Sequence, residues 1–195
     1  GPGPEPVVDT GFIDMKEDRT ITSEETEADP TLLTTNYTSS TGATLTFSVT
    51  SGKPFEVKGY LTGNLRVIKT GKGVLTIGCT TNDYSGGTRI KQYTVQIPAG
   101  TTVPGTGALG TGTLEIQTDD SNANGRLALT SAVGDGTVPN DIHIIGTAET
   151  DDGHQTAYGN VSVAFKPGEV VFSGEITADV GSGFSLSTSG VNGNL

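Results

Sequence analysis

Residues 61–90 read LTGNLRVIKTGKGVLTIGCTTNDYSGGTRI, and this stretch decides the fold. It contains two short runs in which apolar and polar residues alternate, at residues 65–68 and 74–77, and the start of a third, which spans residues 88–97. Alternation with a period of two is typical of β-strands that bury one face. Because glycines separate the runs, the stretch predicts short strands joined by tight corners.

The same texture continues along the chain. Further alternating runs lie at residues 43–49, 55–58, 112–116, 126–129, 141–145, 160–165, 169–172 and 184–186. Many present only two inward-type residues, such as Leu114 and Ile116. Strands this short fit the faces of a parallel β-helix, in which each coil lies on the coil below. We therefore expect an all-β parallel β-helix, with an antiparallel β-sandwich as the alternative because the number of strands suits both.

Composition supports a thin core. Only 32% of the 195 residues are hydrophobic and 6% are aromatic, and there is no Trp. The 29 Gly and 9 Pro residues are more than average usage predicts and are typical of turn-rich structure. A thick globular interior would be difficult to fill from this composition.

The net charge of −11 argues against binding to nucleic-acid phosphate or to an anionic membrane surface. The charge is concentrated at the start, since residues 1–30 contain nine acidic and two basic residues. We expect residues 1–36 to be a tag remnant followed by an acidic cap or linker, and residues 37–195 to form the β-helix domain. An acidic partner-binding arm is the alternative interpretation of the first segment, and residues 15–28 are its only candidate helix.

A single cysteine, Cys79, cannot form an internal disulfide, so packing and hydrogen bonds must stabilise the chain. Cysteine poverty is also compatible with export. No stretch approaches the roughly 18 uninterrupted apolar residues of a membrane helix, and we expect no direct insertion of this segment into a membrane.

Residues 61–90 resemble the autotransporter-associated β-strand repeat, also called the passenger-associated transport repeat. That pattern runs Leu-x-Lys-x-Gly-x-Gly, then a Leu-x-Leu strand, then Asn-x-Tyr-Ser/Thr-Gly-Gly-Thr. The matching positions are Lys69, Gly71, Gly73, Leu75, Ile77, Asn82, Tyr84, Ser85, Gly86, Gly87, Thr88 and Ile90. The resemblance implies a right-handed parallel β-helix in a secreted or surface-displayed bacterial protein. Cys79, the long link at residues 91–104 and the acidic start depart from the pattern.

The motif residues also have a physical interpretation of their own. Gly71 and Gly73 permit positive backbone dihedrals at a corner, and Asn82 can hydrogen-bond to the local backbone there. Ser85 and the glycines after it turn the chain again. Tyr84 is expected to cover the edge of a coil with its hydroxyl in water, in preference to stacking on a sugar.

Residues that could carry chemistry are few. His143 alternates with isoleucines and should project outward, while His154 lies in a turn cluster; neither has the spacing of a zinc site. Residues 119–125 offer oxygen ligands, but an EF-hand that begins at Asp120 would need Glu where Ser131 stands. An ordinary polar turn is the preferred interpretation of residues 119–125, and binding of a hard cation such as calcium by this loop is left open. We expect no catalytic residues, no metal site and no cofactor, although the separation of carboxylates in space, which decides glycosidase chemistry, cannot be read from a sequence.

The leading hypothesis is a non-catalytic structural or adhesive passenger segment, secreted or displayed on a bacterial surface. A carbohydrate- or host-binding module is the first alternative, and it predicts that Tyr60, Tyr93 and Tyr158 line one groove. A fragment of a β-helical polysaccharide-degrading enzyme is the second. The candidate partner is a glycan or a host-surface ligand, and the oligomeric state is left open.

Overall fold

A computed structural model describes residues 11–23, 31–98, 107–117, 126–130, 136–145, 157–164, 170–179 and 182–189. The described residues contain β-strands and connecting turns and no α-helix. Every strand pairing among them is parallel.

The strands of the described residues form two long sheets and two short ones. The front sheet contains β2 (Arg19–Thr22), β5 (Thr44–Ser48), β8 (Arg66–Thr70), β10 (Thr88–Ile90), β12 (Leu114–Gln117), β15 (Ile142–Ile145) and β18 (Ile176–Ala178). The back sheet contains β3 (Thr31–Leu33), β6 (Phe55–Val57), β9 (Leu75–Ile77), β11 (Thr94–Pro98), β13 (Arg126–Thr130), β16 (Ala157–Ala164) and β19 (Ser182–Ser189). The corner sheet contains β1 (Ile13–Asp14), β4 (Tyr37–Ser39) and β7 (Leu61–Gly63), and a final pair contains β14 (Gly136–Val138) and β17 (Val170–Phe172).

Chain order and sheet order together define a solenoid. Neighbours in each long sheet are not neighbours in sequence; β5 pairs with β8, and β6 pairs with β9. In each turn of the solenoid, the chain forms a strand of the front sheet and then a strand of the back sheet. Each turn, or pass, pairs in parallel register with the pass before it. This confirms the parallel β-helix and excludes the antiparallel sandwich.

The core is a narrow aliphatic column between the sheets. In the front sheet, Leu45, Val67, Leu114 and Ile142 occupy one register column, and all are buried. The back sheet contributes a matching column of buried residues: Phe55, Leu75, Val95 and Leu127. Because side chains alternate along a strand, each short strand places about two residues in the interior, and this explains how a chain with little apolar content folds.

Three of the described strands lie within the acidic first segment. β1, β2 and β3 pair in register with β4, β5 and β6. The expectation of a helix over residues 15–28 is wrong for Arg19–Thr22, which form β2. Thr20, Ile21 and Thr22 are β-branched, and branched side chains favour the extended backbone.

Candidate functional site

Two places on the solenoid bring chemistry-bearing side chains together. The first is the corner made by the repeat motif, residues 69–88, which connects β8 to β10 through β9. The second is the outer face of the front sheet around His143. The first place lies inside the stack, and the second faces solvent.

Lys69 lies in the interior. It is registered with Phe47 on one side and Ile90 on the other, in a column of otherwise apolar side chains. Its Nζ donates to the carbonyl oxygens of Gly71 at 2.6 Å and Gln92 at 2.7 Å, so it connects two successive passes. Burial lowers the pKa of the Lys69 ammonium to about 7. Lys69 lies two residues after the buried Val67 on the same strand, so the period of two predicts that its side chain faces inward.

The glycines of the motif are required by close approach of the backbone. Gly71 has φ +84°, and a Cβ there would lie 2.3 Å from the carbonyl oxygen of Val49. A Cβ on Gly73 would lie 2.3 Å from the carbonyl oxygen of Thr50. The expected positive φ holds for Gly71, whereas Gly73 is needed for contact with the pass below, and side chains at both positions would separate the coils.

Asn82 is a buried hydrogen-bonding hub. Its Oδ1 accepts from the Leu61 backbone N–H at 3.0 Å, and its Nδ2 donates to the carbonyls of Cys79 at 3.2 Å and Ala108 at 2.9 Å. The bond to Cys79 confirms the predicted hydrogen bond to the local backbone, and the sequence does not predict the bonds to the passes on either side. The side-chain amide of Asn82 takes the place of strand pairing here, because among the described residues no further strand follows β7 in the corner sheet.

The expectation that the Tyr84 hydroxyl lies in water is wrong. Its ring is fully buried, and its hydroxyl is hydrogen-bonded to the Thr88 hydroxyl, which is buried with it. Burial raises the pKa of Tyr84 well above its usual range. The residue therefore closes the interior of the corner. It is out of reach of a sugar and out of reach of water.

The remaining motif residues also face neighbouring passes. Leu75 and Ile77 are buried in the back sheet. Ser85 donates from its backbone N–H to the Gly63 carbonyl at 2.9 Å, and Gly86 donates to the Leu65 carbonyl at 2.9 Å. Gly87 has φ +88° and completes the turn into β10. The motif thus directs its polar groups to coil-to-coil hydrogen bonds.

The second place is a shallow depression of about 270 Å³ on the outer face of the front sheet. Its lining residues are Thr113, Asp141, Ile142, His143, Glu175 and Thr177. His143 projects outward, as predicted, and its Nε2 lies 2.7 Å from a carboxylate oxygen of Asp179. The Asp141 carboxylate accepts the backbone N–H of Glu175 at 2.9 Å, which fixes its position.

Charged residues adjoin this depression. Glu115 is registered with His143 and accepts a long hydrogen bond, 3.5 Å, from Arg66. The arrangement offers hydrogen-bond acceptors, donors and an imidazole ring to a polar ligand. In the part of the chain that the structure describes, no group of three or more His, Cys, Asp or Glu side chains is placed to hold a metal ion.

The sequence did not indicate the acidic residues around His143. Glu115, His143 and Thr177 share one column, but 28 residues separate the first two and 34 the next two. A spacing that irregular gives no periodic signal. Only the register brings these side chains together.

The tyrosine groove expected for a glycan-binding module does not form from the described residues. Tyr60 precedes β7 of the corner sheet and packs edge-to-face on Phe12. Tyr93 lies between β10 and β11, with the Lys69 Nζ and the Arg126 guanidinium 5.7 and 5.9 Å from its ring centre. The two rings therefore occupy different edges of the solenoid. The Tyr158 side chain, His154 and the loop at residues 119–125 lie outside the described residues.

Comparison with protein-family models, with curated proteins and with solved structures found no match. The resemblance to the autotransporter-associated repeat therefore stays a hypothesis. Among the described residues, no helix has the length and apolarity to cross a bilayer.

Proposed function

We propose that the chain is a non-catalytic structural segment of a secreted or surface-displayed bacterial protein, in which a β-helix holds other parts at a distance. The main support for this proposal is that polar side chains of the repeat motif form hydrogen bonds inside the stack and do not face solvent. Lys69, Asn82 and Tyr84 are all buried and all bonded within the stack. Residues that bind substrate are normally open to solvent in a concave site.

Export fits the same construction. Each pass contacts its two neighbours, so the stack can grow by successive addition of coils without a disulfide. Cys79, the single cysteine of the sequence, is free. A protein built in this way can fold progressively as it emerges on the outer side of a membrane.

Two measurements test this proposal. Antibodies raised against residues 1–195 should label intact cells of the bacterium that carries the protein, and external protease should remove the signal. Labelling that requires permeabilised cells would contradict the surface location. Release of reducing sugar from pectin-like or mucin-like polymers by the purified chain would contradict the non-catalytic role.

The depression around His143 favours a second candidate, a binding surface for a carbohydrate or a host-surface ligand. Asp141 and His143 are held by hydrogen bonds to Glu175 and Asp179, so two polar groups are oriented before a ligand arrives. A glycan array read with the wild type and with Asp141→Asn tests it. Signals that disappear in the variant support this candidate, and signals that are absent or unchanged count against it.

A further inference from the structure

Charge is distributed unevenly along the solenoid. Residues 57–113 contain six basic residues and one acidic residue. By contrast, residues 1–56 contain ten acidic and three basic residues, and residues 114–195 contain eleven acidic and two basic residues. The middle of a chain with a net charge of −11 is therefore basic. An anion that approaches this region meets a local attraction, because at physiological ionic strength charges beyond about 8 Å are largely screened.

Three of these basic residues lie on the outer face of the front sheet. Arg89 belongs to β10 and is partly exposed between two buried residues. Arg66 is the first residue of β8, and Lys91 directly follows β10. The Lys91 backbone N–H donates to the Lys69 carbonyl oxygen at 2.9 Å, which continues the parallel pairing with β8. Because side chains alternate along a strand, Arg89 and Lys91 both face outward.

The neighbours of Arg89 leave its guanidinium without a partner. The registered residue on one side is Ile68, whose side chain has no hydrogen-bond acceptor. The registered residue on the other side is Glu115, whose carboxylate accepts from Arg66 at 3.5 Å. Within the described part of the chain, the Arg89 Nε is buried and has no hydrogen-bond partner. A buried donor without an acceptor is destabilising, so a ligand that brings an acceptor to this point gains affinity.

Arg66 extends across β10 to the same part of the face. It lies beside Gly87, because the next residues of the two chain segments are registered. Gly87 has no side chain, so the Arg66 side chain can pass over it to reach Glu115 on β12. Arg66 and Arg89 are therefore both neighbours of Glu115. With Lys91, three cationic side chains accompany this carboxylate, which leaves an excess of positive charge.

Hydroxyl and apolar side chains adjoin the cationic residues. On the preceding strand, β5, Thr44 and Thr46 are registered with Arg66 and Ile68, and all four are partly exposed. Threonine hydroxyls donate and accept hydrogen bonds, as sugar hydroxyls do. Ile68 offers an apolar contact to the C–H groups of a sugar ring. This part of the face therefore suits a saccharide that carries an anionic group.

The basic area is short along the axis. Asp18, whose carboxylate accepts the Thr44 backbone N–H at 2.8 Å, lies on one side, and Glu115 and Asp141 lie on the other. Three strands about 4.8 Å apart, β5, β8 and β10, lie between these carboxylates. A long polyanion laid along the axis would meet both acidic regions. One or two anionic groups therefore fit this area better than a nucleic acid does.

We propose that Arg66, Arg89 and Lys91 form a binding site for the carboxylate or sulfate group of an acidic saccharide. A guanidinium binds either oxyanion through paired N–H donors, and a lysine ammonium adds a point charge. The site shares no residue with the depression around His143. The proposal does not rest on the proposed function.

NMR titration of the full chain tests the site, with the arginine Nε–H signals observed directly. The probes are trigalacturonate, which carries carboxylates, neocarrabiose sulfate, which carries sulfate, and neutral cellotriose. We expect the acidic saccharides to bind at least about tenfold more tightly than cellotriose and to shift the Arg89 Nε–H signal. The acidic probe that binds more tightly identifies the anion. Added sodium chloride should weaken the binding of both.

Arg89→Gln and Lys91→Gln remove cationic groups of the site. Lys53→Gln is the matched control, because Lys53 is exposed and lies in the turn before β6. R89Q should raise the dissociation constant at least about tenfold and K91Q at least about threefold, whereas K53Q should change it less than about twofold. Glu115→Gln should lower the dissociation constant, because it removes the carboxylate that competes with the ligand for Arg66.

Circular dichroism first shows whether each variant folds. If R89Q does not fold, K91Q and E115Q decide the test, since both of those side chains are partly exposed. Absence of wild-type binding to both acidic saccharides would overturn the proposal. Equal weakening by R89Q and K53Q, binding of cellotriose as tight as that of the acidic probes, or tighter binding of a single-stranded oligonucleotide would also overturn it.

Discussion

Lys69 makes the stability of the solenoid depend on pH. Burial lowers its pKa from 10.5 to about 7 in the folded chain, so between these values the unfolded chain holds more protons. Stability must then increase with pH across this window. The free-energy penalty for burying the Lys69 charge is absent above about pH 10.5, where the lysine is neutral in both states. The penalty grows as the pH falls and is complete near pH 7. Below about pH 7 both states are protonated, and the lysine adds no further pH dependence.

The size of the effect follows from the shift. Each unit of pKa difference is worth about 1.4 kcal/mol, so the gain from pH 7 to pH 10 is at most about 4 kcal/mol. The carbonyls of Gly71 and Gln92, at 2.6 and 2.7 Å from Nζ, favour the charged form and oppose the effect of burial. We therefore expect a measured gain of about 2–3 kcal/mol.

The assay is urea unfolding at pH 6, 7, 8, 9 and 10 for the wild type, Lys69→Met and Lys53→Met. Lys53 is exposed, so K53M is the matched control for loss of a lysine. The difference in free energy of unfolding between wild type and K69M should increase with pH, while that between wild type and K53M stays constant. K69M also leaves two carbonyls without a donor, at a cost of about 1–3 kcal/mol each. A wild-type curve parallel to the K69M curve from pH 7 to 10 would refute the reasoning.

Three further substitutions test the corner. Gly110→Ala should lower the free energy of unfolding by about 3 kcal/mol or more, because φ is +63° and a Cβ would lie 2.3 Å from the Tyr84 carbonyl oxygen. The control is Gly52→Ala, which has a similar φ of +79° but open space around it, and it should lower the free energy of unfolding by about 1 kcal/mol. Equal costs in urea unfolding would mean that the passes are not closely packed there. Tyr84→Phe should cost about 1–2 kcal/mol by leaving a buried threonine hydroxyl without its partner, and an unchanged unfolding midpoint would contradict the buried hydrogen bond. Asn82→Leu removes three hydrogen bonds and should cost about 3 kcal/mol or more, whereas Asn64→Ala, which removes exposed bonds, should cost less than about 1 kcal/mol; similar values for the two would contradict the hub.

The sequence predicted the fold because the strand signal is local. Apolar residues at alternate positions, as at Leu75 and Ile77 or Leu114 and Ile116, are sufficient to state which side chains face inward. The structure buries all four. Glycine at the corners was equally readable, although its physical reason at Gly73 is contact with the neighbouring pass and is not an unusual dihedral.

Contacts between side chains of different passes could not be predicted from the sequence in the same way. Tyrosine has an apolar ring and a polar hydroxyl and is therefore expected at the edge of a core. Tyr84 is nevertheless buried, because the Thr88 hydroxyl provides a hydrogen-bond partner for it inside the corner. The depression around His143 depends on connecting segments of unequal length that bring Asp141 and Glu175 side by side. Nothing within one strand records which residue of the next pass will lie beside it.

The period of two also separates core positions from surface positions in this chain. Inward positions such as Leu114 and Ile142 determine whether the passes stack, and the outward positions Glu115 and His143 lie beside them on β12 and β15 and are partly exposed. A substitution at His143 should therefore alter the outer face at little cost to the core, since its neighbours Ile142 and Ile144 carry the burial. Because of this separation, a ligand-binding role for the depression and a scaffold role for the column can be tested independently in one protein. Loss of glycan binding in Asp141→Asn with unchanged unfolding would then report on recognition alone.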